Sequence, residues 1–258
     1  MLASTAQAEP VELTGQAVQG GVLFGQAPAG SEVTWNDLVL PISDEGRFVF
    51  GLSKDATAST TLKVRLPDGK DWEKKITPTV REFEIQRIDG LDQSRVTPPP
   101  EVMERIANDA YLARKARETI SEHVAFDEPF IWPVKGRITG VYGAQRILNG
   151  EPRAPHWGVD IAAPTGTPVM APAAGIVALV HKDMYFSGGT LFIDHGHGLM
   201  SAFLHLDDIH VEAGEWVDQG QFVASVGSTG RSTGPHLDWR VSWRDVRVDA
   251  QLLVEGVD

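Results

Sequence analysis

The sequence of 258 residues contains no cysteine. This absence excludes disulfide bonds and thiolate-ligated metal sites. Any metal in the folded chain must therefore be held by His, Asp or Glu. It does not decide the compartment, because a bacterial envelope protein can lack cysteine altogether.

Long apolar runs and an excess of positive charge are also missing. No stretch approaches the roughly 18 apolar residues that a membrane helix needs. The formal net charge is −12, which makes nucleic acid and anionic membranes poor partners. With 42% hydrophobic and 22% charged residues, the composition is typical of a soluble globular chain with two domains of ordinary size.

The N-terminus contains a short motif that is typical of export signals. Ala6-Gln7-Ala8 has the small-x-small form of a signal-peptidase site, but the basic and apolar regions that should precede it are missing. The segment is either the remainder of a truncated signal peptide or a chance match. On the first interpretation we expect a periplasmic or otherwise exported protein.

Residues 9–92 are predicted to form an N-terminal β domain. Short apolar-rich runs recur between turn signals, and several alternate with a period of two, as in Leu62, Val64 and Leu66. The segment Pro67-Asp68-Gly69-Lys70 is typical of a hairpin turn, since glycine supplies a positive φ. Strands at this spacing favour an immunoglobulin-like β-sandwich.

A linking α-helix is predicted within residues 97–123. Pro98, Pro99 and Pro100 break the strand pattern and are tolerated in a first helical turn. The helix is expected over 101–122 as a packed connector, with one apolar stripe made of Met103, Ile106, Ala110, Ala113 and Ile120.

Residues 128–254 are predicted to be all-β, and three short clusters there contain histidine. They surround His156, His205 and His236. His236 and Asp238 are two apart, so on a strand both face the same way. His156 and Asp160 are four apart, or about 13 Å along a straight strand, so they meet on one metal only if the chain bends between them. Gly158 permits that bend.

Taken together, the clusters and the glycine-rich segments around them resemble the lysostaphin/LytM-type zinc metallopeptidases, which are peptidoglycan endopeptidases. The resemblance covers about residues 130–252. Its landmarks are Gly136-Arg137-Ile138-Thr139, His156-x-Gly158-Val159-Asp160-Ile161, Gly166-Thr167-Pro168-Val169, Ala174-Gly175-Ile176-Val177, Gly188-Gly189, Ile193-Asp194-His195-Gly196, His205-Leu206, Gly220-Gln221 and Ser232-Thr233-Gly234-Pro235-His236-Leu237. It implies a compact LytM-like β barrel-sandwich.

The resemblance also implies a role for each matching residue. His156 and Asp160 match the first two zinc ligands, and His205 and His236 match the catalytic histidines. The third ligand of the family is a histidine, and Asp238 stands in its place. A carboxylate is an accepted zinc ligand, but the extra negative charge makes the site more welcoming to other, harder divalent metals. Phe203 replaces a tyrosine that is frequent in the family.

The implied chemistry is hydrolysis of peptide cross-links by a metal-bound water, because three protein ligands leave one zinc position open. No HExxH helix supplies a glutamate base, so His205 and His236 are the candidates to take the proton and steady the oxyanion. The implied partners are peptidoglycan stem peptides, together with other proteins of the cell envelope.

The remaining histidines are interpreted as structural or surface residues. His195 and His197 are expected in a turn at a strand end, and His123, His181 and His210 on the surface or in loops. The groove beside the site is expected to be walled by loops 144–155 and 182–189. Asn149 is a candidate to reach the metal. Nearby aromatic residues are Tyr142, Trp157, Tyr185, Phe186 and Trp239.

Two other functions compete with this interpretation. One is a metal-poor, degenerate LytM-like domain that activates a cell-wall amidase or serves as a binding module. The other is a biotinyl or lipoyl carrier domain, which shares the hairpin pattern. A carrier needs an acceptor lysine on an exposed turn, usually beside methionine, and Lys182 lacks that setting.

Overall fold

The computed structural model describes residues 9–89 and 98–254, in which strands dominate both halves. The first half contains β1 (Glu12–Gly15), β2 (Val22–Gln26), β3 (Glu32–Trp35), β4 (Leu38–Leu40), β5 (Arg47–Gly51), β6 (Thr60–Arg65), β7 (Asp71–Ile76) and β8 (Ile85–Ile88). A 3-10 turn (Pro100–Val102) then leads into helix α1 (Met103–Arg117). The second half contains β9 (Arg137–Gly140), β10 (Gln145–Leu148), β11 (Glu151–Pro152), β12 (Val159–Ala162), β13 (Pro168–Met170), β14 (Gly175–Met184), β15 (Gly188–Gly196), β16 (Leu199–Ile209), β17 (Trp216–Val217), β18 (Phe222–Val226), β19 (His236–Trp243), β20 (Val246–Val248) and a 3-10 turn (Ala250–Leu253).

The N-terminal strands form two small sheets, ordered β1-β2-β5 and β4-β3-β6-β7. Gly69, with a φ of 83°, lies in the turn between β6 and β7 and confirms the predicted hairpin. Strands β3 and β4 form a second hairpin, because Asn36 and Asp37 both take positive φ and close a tight turn. The immunoglobulin-like topology stays a prediction.

Helix α1 is shorter than the predicted 101–122 and ends at Arg117. Beyond it, the Ser121 hydroxyl donates a hydrogen bond to Asp194 Oδ2 at the end of β15, so the chain turns toward that strand. Of the predicted apolar stripe, Met103 and Ile120 are exposed. The helix packs its other side near β14, and its role as a linker stays a prediction.

The second half is built on a ten-stranded sheet whose main path is β17-β14-β15-β16-β19-β12-β9. The two ends of this path, β17 and β9, do not pair with each other in the described part of the chain. The predicted barrel-sandwich is therefore wrong in its closure: the sheet is open. The candidate carrier lysine, Lys182, lies inside strand β14 and not on a turn.

The two halves are packed against each other. Strands β8 and β10 pair in parallel, and Arg81 Nη2 lies 2.8 Å from Asp249 Oδ2. One continuous core contains Phe50 from the first half and Trp239 from the second.

Because β10 and β11 form a hairpin, the segment 144–155 is a paired structure where a loop was predicted. The domain limits 9–92, 97–123 and 128–254 stay predictions.

Within the described residues, no helix combines the length and the apolar character needed to span a bilayer. The segment Ala6-Gln7-Ala8 lies outside the described residues.

Candidate metal centre

Three neighbouring strands bring the predicted site residues together. Strands β12 and β19 run antiparallel with Asp160 directly opposite Asp238. Strand β16 borders β19 on its other side and places Leu204, the residue before His205, opposite Asp238. The register of one sheet therefore unites residues that are more than 30 positions apart in the sequence.

His156, Asp160 and Asp238 form a buried cluster whose ligand-capable atoms all lie within 4.8 Å of one another. His156 Nε2 is 2.9 Å from Asp160 Oδ1 and 3.5 Å from Asp238 Oδ2. The chain bends at Gly158 just before β12 begins, as the spacing of His156 and Asp160 predicted.

Two glycines leave the room that the carboxylates occupy. A Cβ on Gly158 would lie 2.3 Å from Asp238 Oδ1, and a Cβ on Gly140 would lie 2.3 Å from Asp160 Oδ2. Any side chain at either position would displace a carboxylate. The lack of a side chain at Gly158 thus permits the close approach of the Asp238 carboxylate as well as the bend of the chain.

The cluster fits a metal ion. His156 Nε2 and Asp160 Oδ1 are both buried and have no hydrogen-bond partner, although they lie near each other. Such buried polar atoms are costly unless something pairs with them. The other ring nitrogen, Nδ1, lies 3.3 Å from the Val141 carbonyl oxygen, which fixes the tautomer that leaves Nε2 as a ligand.

The electrostatics of the cluster keep the carboxylate of Asp238 ionised. Burial by itself would raise the pKa of Asp238, but Arg240 and His156 hold it well below its usual value. Burial likewise opposes protonation of His156, yet the two neighbouring carboxylates outweigh it and raise its pKa. Concentrated negative charge beside an imidazole is the setting that attracts a divalent cation.

Each carboxylate is also bound by an arginine that sequence reasoning missed. Arg240 donates through Nε and Nη2 to Asp238, with its shortest contact at 2.6 Å. Arg146 Nη2 donates to Asp160 Oδ2 at 3.1 Å. A carboxylate oxygen has two lone pairs, so an arginine contact leaves it able to bind a metal. Arg240 was detectable, because it is two residues from Asp238 on one strand face; Arg146 gives no local signal.

His205 and His236 lie beside the cluster with their ring centroids 4.8 Å apart. His205 Nδ1 donates to the Thr229 carbonyl and His236 Nδ1 to the Gly234 carbonyl, each at 2.8 Å. Since a carbonyl only accepts, both neutral rings carry their proton on Nδ1 and leave Nε2 as an acceptor. Burial lowers the pKa of His205, which favours its neutral form.

The backbone at His205 adopts a φ of 65°, a conformation that non-glycine residues take only when their surroundings impose it. Its amide donates to the Ser187 carbonyl at 2.7 Å, which helps to hold it there. His236 Nε2 lies 3.9 Å from Asp160 Oδ1. Both imidazoles therefore border the cluster closely and are held by backbone contacts.

The other histidines lie elsewhere. His195 and His197 are buried at the β15–β16 turn, as expected of a strand end. His210 is exposed, His181 lies on β14, and His123 is partly buried with Nε2 3.0 Å from the Asp194 carbonyl oxygen.

Of the aromatic residues predicted near the site, Tyr142 and Trp239 are fully buried in the core. Phe203 is also fully buried. Phe186 faces the groove, and Tyr185 packs edge-on against it. Trp157 packs against Tyr142.

A groove of about 770 Å³ opens over the cluster and both histidines. Met184, Phe186 and Ser187 from the predicted wall 182–189 line it, and Arg146 lines it from the hairpin β10–β11. Asn149 lies in the turn of that hairpin and is not a lining residue. Helix α1 supplies a further wall that was not predicted, made of Ile106, Asp109, Ala110, Ala113 and Arg117.

The model of peptidase family M23 matches residues 154–250, which include the three cluster residues and both histidines. The chain contains a peptidase family M23 domain. This identification agrees with the resemblance to lysostaphin/LytM-type enzymes, and together with the buried His-Asp-Asp cluster it supports a metal cofactor.

Curated relatives of this M23 domain include two proteins of Vibrio cholerae serotype O1. Peptidoglycan DD-endopeptidase ShyB is 45% identical over 96 residues, which are 37% of this chain and 22% of that protein. Peptidoglycan DD-endopeptidase ShyA is 38% identical over 117 residues, which are 45% of this chain and 27% of that protein. The chain thus spans about a quarter of the length of these relatives.

A solved structure of an M23 peptidase from Pseudomonas aeruginosa resembles nearly the whole chain. It aligns with a TM-score of 0.70 and 29% sequence identity over 93% of this chain and 95% of that one. The likeness therefore extends beyond the M23 domain to the N-terminal half.

Proposed function

We propose that this protein is a zinc-dependent endopeptidase that hydrolyses peptide cross-links of peptidoglycan. One observation carries the proposal: a buried His-Asp-Asp cluster lies beside two imidazoles in a single groove. The M23 match and the names of the relatives, which are peptidoglycan DD-endopeptidases, support the same reaction.

Zinc would be held by His156 Nε2, Asp160 Oδ1 and Asp238 Oδ2. When bound, a zinc ion with three protein ligands lowers the pKa of a water molecule toward about 7 and polarises a carbonyl group. With two carboxylates in the set, the site is also open to other divalent metals. Arg146 and Arg240 orient the two carboxylates and offset part of their charge.

His205 is the better placed general base. Its Nε2 is free to accept a proton, and burial lowers its pKa so that the ring is neutral near pH 7. His236, on the neighbouring strand β19, has the same tautomer. Once protonated, either ring can donate to the oxyanion or to the leaving amine.

The alternative of a metal-poor binding module is less well supported. All three positions of the cluster have ligand-capable side chains, and two of their atoms are buried without a partner. A bound metal would satisfy these two atoms, His156 Nε2 and Asp160 Oδ1. We further propose that the protein acts outside the cytoplasm, where its substrate lies, in contact with other envelope proteins.

The test is digestion of purified muropeptide dimers, with metal content measured in parallel, by the wild type and the variants His205→Ala, His236→Ala and His210→Ala. We expect each of the first two to keep its metal and to lose at least about 100-fold in cleavage rate. His210 is exposed, so its variant is the matched control and should cleave normally. Full activity of His205→Ala or His236→Ala would contradict the assignment of that residue. A wild type that neither binds metal nor cleaves would contradict the proposal itself.

A further inference from the structure

The groove is rich in positive charge although the chain carries a net charge of −12. Its lining contains five arginines, namely Arg117, Arg146, Arg231, Arg240 and Arg247, against three aspartates. An acidic protein that gathers arginines in one concave site creates a local field opposite to that of its surface. That field favours an anionic ligand.

Two of these arginines form salt bridges with the candidate metal ligands. Arg146 binds Asp160 and Arg240 binds Asp238. The third aspartate of the lining, Asp109, accepts a hydrogen bond from the Tyr185 amide. Arg117 and Arg247 are different, because neither forms a salt bridge with any described residue.

The carboxylate of Asp245 attracts both Arg117 and Arg247 but forms a salt bridge with neither of them. The Arg117 guanidinium lies over the Phe192 ring at 5.8 Å, and its Nε is buried without a hydrogen-bond partner. The backbone carbonyl of Arg247 accepts a hydrogen bond from the Tyr142 hydroxyl at 2.8 Å. The ring contact orders the Arg117 side chain and the hydrogen bond orders the Arg247 backbone, while Asp245 offsets the charge of the two guanidinium groups only in part.

The strain of this arrangement is electrostatic. Burial and the nearby charges of Arg117 and Arg240 lower the pKa of Arg247 to about 9. Burial also lowers the pKa of Arg117, which Asp245 opposes only in part. Buried like charges are retained at a cost, and a bound anion would relieve it.

The pair adjoins the candidate metal centre through strand β19. Arg247 lies opposite Ser242 on β20, and Ser242 is two residues from Arg240, which binds Asp238. Ser242 lies four residues beyond Asp238, about 13 Å along the strand. An anion held by the pair would therefore lie in the same groove as a peptide at the metal centre, within a few residues of its scissile bond.

We propose that Arg117 and Arg247 form a carboxylate-binding subsite, which selects a peptide bearing a free carboxylate near the bond to be cleaved. The inference rests on the proposed endopeptidase function. A peptide that is cross-linked through a side-chain amine keeps a free α-carboxylate close to the cross-link, whereas a bridge of neutral residues does not. Guanidinium groups match that ligand, because they bind carboxylates through two parallel hydrogen bonds.

The test compares a muropeptide dimer that has free carboxylates with the same dimer after conversion of its carboxyl groups to carboxamides. Binding is measured by calorimetry on the metal-loaded His205→Ala protein, and cleavage on the wild type. We expect about tenfold weaker binding of the carboxamide form, the loss typical of one charge-assisted contact. Arg117→Gln and Arg247→Gln should each weaken binding of the carboxylate form about tenfold and leave binding of the carboxamide form unchanged.

Arg114→Gln is the matched control, since Arg114 is on the same helix but outside the groove, beside Glu118. Arg247→Lys, which keeps the charge, should retain part of the preference. Equal binding of the two dimers by the parent protein overturns the subsite, whether or not the dimers are cleaved. Preferential binding of the carboxylate form without cleavage by the wild type supports the subsite and counts against the endopeptidase.

Discussion

Asp238 and Arg240 lie two residues apart on strand β19, and the arginine binds both carboxylate oxygens of the aspartate. The resemblance to lysostaphin/LytM-type enzymes matches Asp238 to a position where that family has a histidine. The structure pairs this negatively charged candidate ligand with a cation. With that arginine counted, the cluster has the net charge that a His-Asp-His site would have.

This pairing predicts a specific double-mutant result. Asp238→His alone restores the ligand of the family but leaves Arg240, whose side chain is 30% exposed, without its partner. Breaking a buried pair from one side costs about 3–5 kcal/mol, and we expect about 2 kcal/mol here because of that exposure. Asp238→His combined with Arg240→Gln should recover most of the loss. Chemical denaturation measures the free energy of unfolding of the wild type, the two single variants and the double variant.

The coupling energy between the two substitutions shows whether Asp238 and Arg240 compensate each other. If the effects of Asp238→His and Arg240→Gln on the free energy of unfolding simply add, the two residues do not compensate each other. Metal titration of the same proteins gives an independent measure. The double variant should bind zinc at least as tightly as the wild type, because it has one imidazole more and no adjacent guanidinium.

Local spacing indicated that His156 and Asp160 meet only if the chain bends, and the resemblance to lysostaphin/LytM-type enzymes supplied the ligand set, with Asp238 as its third member. A glycine between His156 and Asp160 signalled the bend, and the bend is there. The hairpin turn at Gly69 was equally local. The arginines that bind the carboxylates and the helical wall of the groove were not foreseen. Arg146 reaches Asp160 only through the hairpin β10–β11, and Arg117 reaches the groove only through the packing of helix α1. Such contacts depend on tertiary packing, which no pattern in a single stretch encodes.

Metal binding should stabilise the fold, because Asp160 and Asp238 are directly opposite each other on paired strands. Like charges in that position repel, and a cation between them reverses the sign of the interaction. At a free zinc concentration about 100 times the dissociation constant, we expect a gain of about 2.7 kcal/mol. That corresponds to an increase in Tm of about 5–10 °C for a chain of this size.

Differential scanning calorimetry with zinc and with a chelator measures this shift. Asp160→Asn is the control, since it keeps the shape of the side chain and removes its charge. Its Tm should depend little on zinc. A zinc-dependent shift of the same size in Asp160→Asn would mean that the metal binds elsewhere.

Gly158→Ala should abolish metal binding and also destabilise the fold, because its Cβ would lie 2.7 Å from the backbone oxygen of Trp239 as well as close to Asp238. The new Cβ would lie 2.3 Å from Asp238 Oδ1 and would push the carboxylate out of the cluster. Gly234→Ala is the matched control, because it lies close to the same site and has nothing within 4 Å of its new Cβ. Zinc stoichiometry by atomic emission should fall toward zero in the first variant and stay at one in the second. Normal zinc content in Gly158→Ala would show that the carboxylate has room to move.

The buried histidine at the end of β15 should make the stability of the fold depend on pH. His195 Nδ1 donates to the Ala174 carbonyl at 2.7 Å, and its Nε2 accepts from the Ser201 hydroxyl at 2.8 Å. Burial lowers the pKa of His195 from its ordinary value of 6.5 to about 4. Below pH 6.5 the His195 imidazole is therefore protonated in the unfolded chain, whereas in the folded chain it stays neutral until the pH approaches 4.

The contribution of His195 is fully present above about pH 6.5 and is lost as the pH falls toward 4. The loss is about 1.4 kcal/mol per pH unit, or about 3 kcal/mol over the whole window. Urea denaturation at a series of pH values measures it. His195→Gln keeps a donor and an acceptor but cannot titrate. The variant should therefore show a flatter pH dependence in this window, whatever its absolute stability. An unchanged slope in the variant would mean that other groups cause the acid sensitivity.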